Sequence, residues 1–353
     1  MKVSICLPTL NARRFLPERM DSIVGQTLAD WELVVCDSHS EDGTWEYLRQ
    51  FEDDPRVHLH AVPKEGLYAG WNECLRRATG EYIYIATADD TMETDCLERL
   101  CDALENQPDL DIVLSEARRI DEQGRALGAR RPDVWKLLDP APGRIERVPG
   151  TSFFLLLCGL ASGFGSITGL MVRRRLFEKT GLFPADQWFL GDCEWALRAV
   201  LHSDVLVLPD VLATWRSHGD QASSAWNLKA ARIFLRTLER VLESEGDRMP
   251  ARWRAVPRWR DRLLRARRVE AEMATKLVVS NLRDHWHRFP GWIADAARIA
   301  PAMLLKRLAG GFMLRDEHRA DAVAETRRLL ADFGEGWPAE RRYFPQQAKC
   351  VTA

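Results

Sequence analysis

The chain has 353 residues, 46% of them hydrophobic and 29% charged, with a formal net charge of −2. That length supports a sizeable core and two domains, or one large domain with an appendage, and the near-neutral balance excludes a strong overall attraction to nucleic acid. The eight cysteines (Cys6, Cys36, Cys74, Cys96, Cys101, Cys158, Cys193 and Cys350) form no Cys-x-x-Cys pair, which argues against a zinc ribbon or thioredoxin site.

Val3–Leu7 is an apolar run closed by Pro8 and predicts a first strand. Phe15, Leu16, Met20, Ile23 and Val24 recur at helical spacing within Arg14–Gln26. Trp31–Cys36 predicts a second strand ending at Asp37. The turn residues Ser40–Gly43 then lead into a helix over Thr44–Phe51. Val57–Val62 predicts a third strand, Gly66–Ala78 a helix, Glu81–Ala86 a fourth strand and Thr94–Asn106 a further helix. This βαβαβαβ alternation implies an α/β protein with a mainly parallel, Rossmann-like sheet flanked by helices on both faces.

Further strands are expected at Ile112–Leu114, Gly169–Val172 and Val205–Leu208, with helices at Arg175–Thr180 and Asp192–His202. Ser152–Val172 carries no charge over a length that could cross a membrane. Gly159, Gly163, Gly165 and Gly169 interrupt it, with Ser and Thr among them, so it reads as buried soluble structure. Its Gly/Ser/Thr-rich part suits a close approach of backbone to a ligand. From about Ala225 the pattern is almost wholly helical. Residues 226–353 hold 26 Lys and Arg against 16 Asp and Glu, so the tail is basic and the first 225 residues are acidic.

Glu81–Thr91 reads EYIYIATADDT, an apolar strand running into Asp89 and Asp90. Ligands of open α/β sheets bind beyond the carboxyl ends of the strands. Carboxylates there suit a hard divalent cation, which brings substrate phosphates with it. An Asp-rich turn capping the next helix is the alternative use of the same residues.

Other polar motifs fall at strand ends and helix starts. Pro8–Asn11 (PTLN) follows the first strand and Asp37 the second. Glu65–Asn72 (EGLYAGWN) opens the third helix. Downstream come Gly191–Arg198 (GDCEWALR) and Trp215–Ser223 (WRSHGDQAS). In this order they resemble the family 2 inverting glycosyltransferases of the GT-A fold, over about residues 1–225. The resemblance implies a GT-A catalytic domain in 1–225, with the nucleotide-sugar site in 1–95 and the acceptor and base region in 150–225. A basic, mostly helical C-terminal extension would follow in 226–353.

The resemblance also implies residue roles. Asp37 would contact the nucleotide base in a pocket lined by Pro8 and Thr9. Asn11, Glu65, Gly66, Asn72 and Asp90 would contact the nucleotide sugar. Asp89, with His218, would hold Mg²⁺ or Mn²⁺ on the diphosphate, and Asp192 would be the catalytic base. Two positions depart from the family pattern: Thr87 stands where the metal motif usually begins with Asp, and Gly191 replaces an acidic residue before the base. Glu194 is a reserve base, and Trp188 and Trp195 either stack on an acceptor sugar or pack in the core.

The implied activity is transfer of a sugar from a nucleotide-diphosphate sugar, UDP-linked by expectation, to a glycan or lipid-linked glycan in surface polysaccharide biosynthesis. A sugar-phosphate nucleotidyltransferase is a rival on a related sheet, but PTLNARRF lacks the Gly-rich triphosphate loop. A non-catalytic sugar-nucleotide or glycan-binding protein is a second rival, supported only by Thr87 and Gly191. The N-terminal MKVSICLPTLN lacks the apolar core of a signal peptide, so the expected location is cytoplasmic. In Arg252–Arg268, arginines interleave with Trp253 and Trp259. Such a segment fits either a peripheral contact with an anionic membrane, extending over 252–308, or a helical face packed on the catalytic domain.

Overall fold

The computed structural model describes residues 1–127, 133–138, 140, 142–160, 164–187, 190–219, 221, 228–268, 317–335 and 342–345. Strands β1 (Val3–Thr9), β2 (Trp31–Asp37) and β4 (Tyr82–Ile85) are buried along almost their whole length, as parallel strands covered on both faces must be. Val3, Ile5, Leu7, Leu33, Val35, Tyr82 and Tyr84 share one face with α1 (Leu16–Val24) and α4 (Cys96–Glu105). Cys6, Val34, Cys36, Ile83 and Ile85 point the other way, against α3 (Leu67–Arg77). The two-residue period of the strands thus builds two apolar layers and recruits a helical layer to each. Shorter helices are α2 (Thr44–Leu48), α5 (Asp133–Leu138) and α7 (Arg175–Thr180).

The sheet order is β3-β2-β1-β4-β7-β5-β8-β6-β9. β1 pairs in parallel with β2 and β4, and β2 with β3 (Val57–Ala61). β7 (Leu170–Arg173) is antiparallel to both β4 and β5 (Ile112–Ile120), and β8 (Val205–Arg216) is parallel to β5. β6 (Arg144–Val148) and β9 (Arg342–Pro345) complete the sheet in antiparallel pairs. Of these strands only β6 and β7 oppose the common direction, so the expected mainly parallel α/β class holds.

Two strands run beyond their expected ends. β5 and β8 continue together to Ile120 and Arg216, with register shifts between Leu114 and Ala117. Pro209 makes Leu208 look like the end of β8 in the sequence. The proline is tolerated because β6 pairs only with Val205–Val207, and because the β5 register shifts there. The extra length matters, since it carries Trp215 and Arg216 to the site.

Within the uncharged segment, α6 (Gly150–Gly159) is a buried helix, and no helix among the described residues is long and apolar enough to cross a membrane. Gly159 lets α6 touch the helix Glu317–Asp332, because a Cβ there would lie 2.0 Å from Thr326 Oγ1.

The C-terminal residues share this core. Leu238, Val241 and Leu242 of α9 (Leu228–Ser244) join Met249, Leu263, Leu329, Leu330 and Phe333 in the cluster beneath α3, α6 and α8 (Gly191–Ala199). Trp253 is completely buried between Phe154 and Phe333, and its indole N–H donates to Glu335 at 2.9 Å. Trp259 packs against the same cluster. Trp253 therefore faces the core, and Trp259 is half-buried against it, so part of this segment packs on the catalytic domain. Residues 269–308 of that segment lie outside the described residues.

Candidate active site

A cavity of about 900 Å³ opens beyond the carboxyl ends of β1 and β4. Pro8, Thr9 and Asn11 line it from β1 and the loop after it, and Gly66 and Tyr68 from the start of α3. Thr87, Asp89 and Asp90 line it after β4, Phe164–Ile167 before β7, Asp192 and Cys193 from α8, and Trp215 and His218 from the end of β8. The Gly/Ser/Thr-rich stretch therefore does border a ligand-sized space.

The loop after β4 is clamped to β8. Thr91 and Thr214 exchange hydrogen bonds, and Met92 bridges Ala213. Arg216 is wholly buried and donates from Nε to the Asp89 carbonyl at 2.7 Å, while its backbone N–H donates to Asp90 Oδ1 at 2.7 Å. Its guanidinium also reaches the Asp121 and Glu122 carbonyls at 3.3 Å and Glu18 at 2.5 Å. Asp90 Oδ2 accepts from Thr87 Oγ1 at 2.5 Å. Thr87 is thus a brace for Asp90, which is only 2% exposed and serves as a buttress. Burial and the adjacent Asp89 charge raise the Asp90 carboxyl to about 7.

Asp89 keeps its carboxylate toward the cavity. His218 Nε2 lies 2.9 Å from Asp89 Oδ2, and the imidazole rests against Phe15 with ring centroids 4.9 Å apart. No group of three or more metal-ligating side chains occurs among the described residues. A carboxylate and an imidazole side by side on a polar wall nonetheless fit a hard divalent cation, which fills its remaining positions with water and phosphate oxygens.

Asp192 lies in the first turn of α8, where the helix dipole favours its charge. Its Oδ1 accepts from the Tyr68 hydroxyl at 2.7 Å and from the Cys193 N–H at 2.9 Å. Burial raises its pKa above the ordinary carboxylate range, against the lowering effect of the Tyr68 hydrogen bond. Glu194 does not line the cavity. It is buried beneath α9 and paired with Arg240 at 3.2 Å, so it is no reserve base. Trp195 is a core residue stacked on Phe177, and Trp188 lies outside the described residues.

Three expected contacts are not on the lining. Asp37 is 1% exposed, and its carboxylate accepts from Thr9 Oγ1 (2.7 Å), Ser40 N–H (2.9 Å) and Ser40 Oγ (2.7 Å). It braces the loops that present Thr9 and Ser38. Asn72 is buried, with its amide bonded to both the C=O and the N–H of Phe183. Glu65 is exposed beside the cavity, whereas its neighbours Lys64 and Gly66 line it. Asn11 adopts a left-handed φ of 49° and ties the β1 loop to Ser40 and Glu41, a conformation Asn accepts more readily than most residues.

Tyr68, Lys64, Ser38, Arg14 and Trp215 also line the cavity, and sequence reasoning did not single them out. Tyr68 and Trp215 lie inside quoted motifs, so the available signal was position in the motif.

The family model for glycosyl transferase family 2 matches residues 4–181, and the chain belongs to that family. Among individual proteins, the chondroitin synthase of Escherichia coli is 29% identical over 126 residues, 35% of this chain and 18% of that protein. The chain spans about half or less of the length of the curated relatives it matches first. Staphylococcus aureus TarS 1–349, solved with UDP-GlcNAc, superposes with a TM-score of 0.63 at 17% identity, covering 99% of this chain and 98% of that one. The mannosyltransferase PcManGT of Pyrobaculum calidifontis, solved with GDP-Man and Mn²⁺, gives 0.54 at 21% identity, covering 96% and 88%. These likenesses establish the GT-A fold.

Proposed function

We propose that the chain is an inverting glycosyltransferase that moves a sugar from a UDP-linked donor to a hydroxyl of a glycan or lipid-linked glycan acceptor in surface polysaccharide assembly. The observation that carries this reading is that the half-buried, hydrogen-bonded carboxylate of Asp192 shares one cavity with the Asp89–His218 pair. The relative named for chondroitin synthesis supports the polysaccharide setting, and the UDP-GlcNAc complex of TarS supports the donor class.

Pro8, Thr9, Asn11 and Ser38 form the nucleotide wall, braced from behind by Asp37. Gly66 has a φ of 103°, and a Cβ added there would meet no atom within 4 Å, so the first turn of α3 opens freely onto the cavity. Its N–H groups suit the diphosphate. Asp89 and His218 would hold Mg²⁺ or Mn²⁺, whose charge would make the nucleotide diphosphate a better leaving group. Asp192 takes the proton of the acceptor hydroxyl as that oxygen bonds the anomeric carbon and the bond to the diphosphate oxygen breaks. Attack from the face remote from the leaving group inverts the configuration.

Asp192→Asn is expected to keep donor affinity and to lower transfer by about 10²–10⁴-fold, the range of a general base. Near wild-type transfer in that variant would overturn the assignment.

A further inference from the structure

Tyr68 is 2% exposed and packs its ring against Trp71 and Phe183, at centroid distances of 5.2 and 5.9 Å. The same ring fills the space over Gly191. A Cβ at position 191 would lie 2.8 and 2.9 Å from two ring carbons of Tyr68 and 2.6 Å from the Pro184 carbonyl oxygen. A side chain at 191 would therefore push the ring away from Asp192. The position before the base, which lacks an acidic residue in this chain, is left bare so that an aromatic ring from α3 can reach the carboxylate.

We propose that Tyr68 is the positioning residue for Asp192, and that Gly191 is its structural counterpart. This rests on the reading of Asp192 as base. The Tyr68 hydroxyl and the Cys193 N–H both bond Oδ1, and the Cys193 side chain and the Asp192 N–H also hydrogen-bond the carboxylate. The acceptor proton goes to Asp192 and Tyr68 keeps its own. Burial, and next the Asp192 charge, hold the phenol well above its ordinary range. The titratable groups against Asp192 are Tyr68 from α3 and Cys193 from α8. The other charged or titratable groups on the cavity wall are Asp89, Asp90, His218, Arg14 and Lys64.

Tyr68→Phe keeps the ring over Gly191 and removes only the hydroxyl. A hydrogen bond to a charged group contributes about 1.5–3 kcal/mol, so kcat is expected to fall by about 10- to 100-fold. Donor KM should stay within about twofold of wild type, because the donor wall is untouched. The acid limb of the kcat profile should move to higher pH, because the ionised Asp192 loses a donor. Asp192→Asn, assayed in parallel, is expected to show its loss of about 10²–10⁴-fold with no acid limb. An unmoved acid limb in Tyr68→Phe, whatever its kcat, overturns the positioning role and leaves the base assignment standing if Asp192→Asn shows its expected loss. Near wild-type transfer by Asp192→Asn removes the reading beneath both.

Discussion

The base role proposed for Asp192 requires an ionised carboxylate, so the sign of its pKa shift has a kinetic consequence. Burial raises that pKa, and the carboxylate must release its proton before it can accept one from a hydroxyl. Transfer by the wild-type protein should therefore fail on acidification at a pH above the ~3.9 of an exposed Asp, and this limb is what Asp192→Asn should abolish. Its strand-end position made Asp89 legible in the sequence and the family resemblance pointed to Asp192 and His218, and the structure brings all three to one cavity. Asp37 and Asn72 were placed by motif position alone, which does not say where a side chain turns. Their polar atoms bond Thr9, Ser40 and Phe183 instead. Tyr68 was invisible for the opposite reason. A ring within EGLYAGWN gains its proposed role only because α8 delivers Asp192 to its hydroxyl.

At the scale of elements, the site depends on β8 reaching past Pro209. Arg216, at its end, bonds the backbone of two loops, at Asp89 after β4 and at Asp121 and Glu122 after β5. Its ion pair with Glu18 contributes little, because that carboxylate is 58% exposed. The buried hydrogen bonds carry the weight. Arg216→Leu should destabilise the protein by about 3 kcal/mol and weaken donor binding, the first read as a lower urea midpoint at unchanged slope. A midpoint shift equivalent to under about 0.5 kcal/mol would show that the loop holds itself. The first four strands were legible because alternation and turn chemistry agree there. Helix α6 was not, because it is buried on all faces and no amphipathic period marks it.

For the whole molecule, the acidic and basic halves of the charge distribution do not correspond to separate cores. The apolar cluster under α3 and α6 continues without a break into α9, Trp253 and the helix Glu317–Asp332. Composition alone could not reveal this, since an arginine-rich helix hides the few residues it buries. Trp253→Ala should destabilise the protein by about 3–5 kcal/mol, the cost of a large core deletion, measured by denaturant unfolding. A solvated or membrane-facing tail would predict a change near zero.

The reading of this molecule as a metal-assisted nucleotide-sugar enzyme stands or falls on the donor cavity. Thermal unfolding with a panel of nucleotide sugars, with and without Mn²⁺ or Mg²⁺, tests it, because a ligand that binds only the folded state raises Tm. One UDP-sugar is expected to raise Tm more with the metal than without it, and Asp89→Ala to lose that metal-dependent part. No rise with any nucleotide sugar, with either metal or neither, would contradict the account.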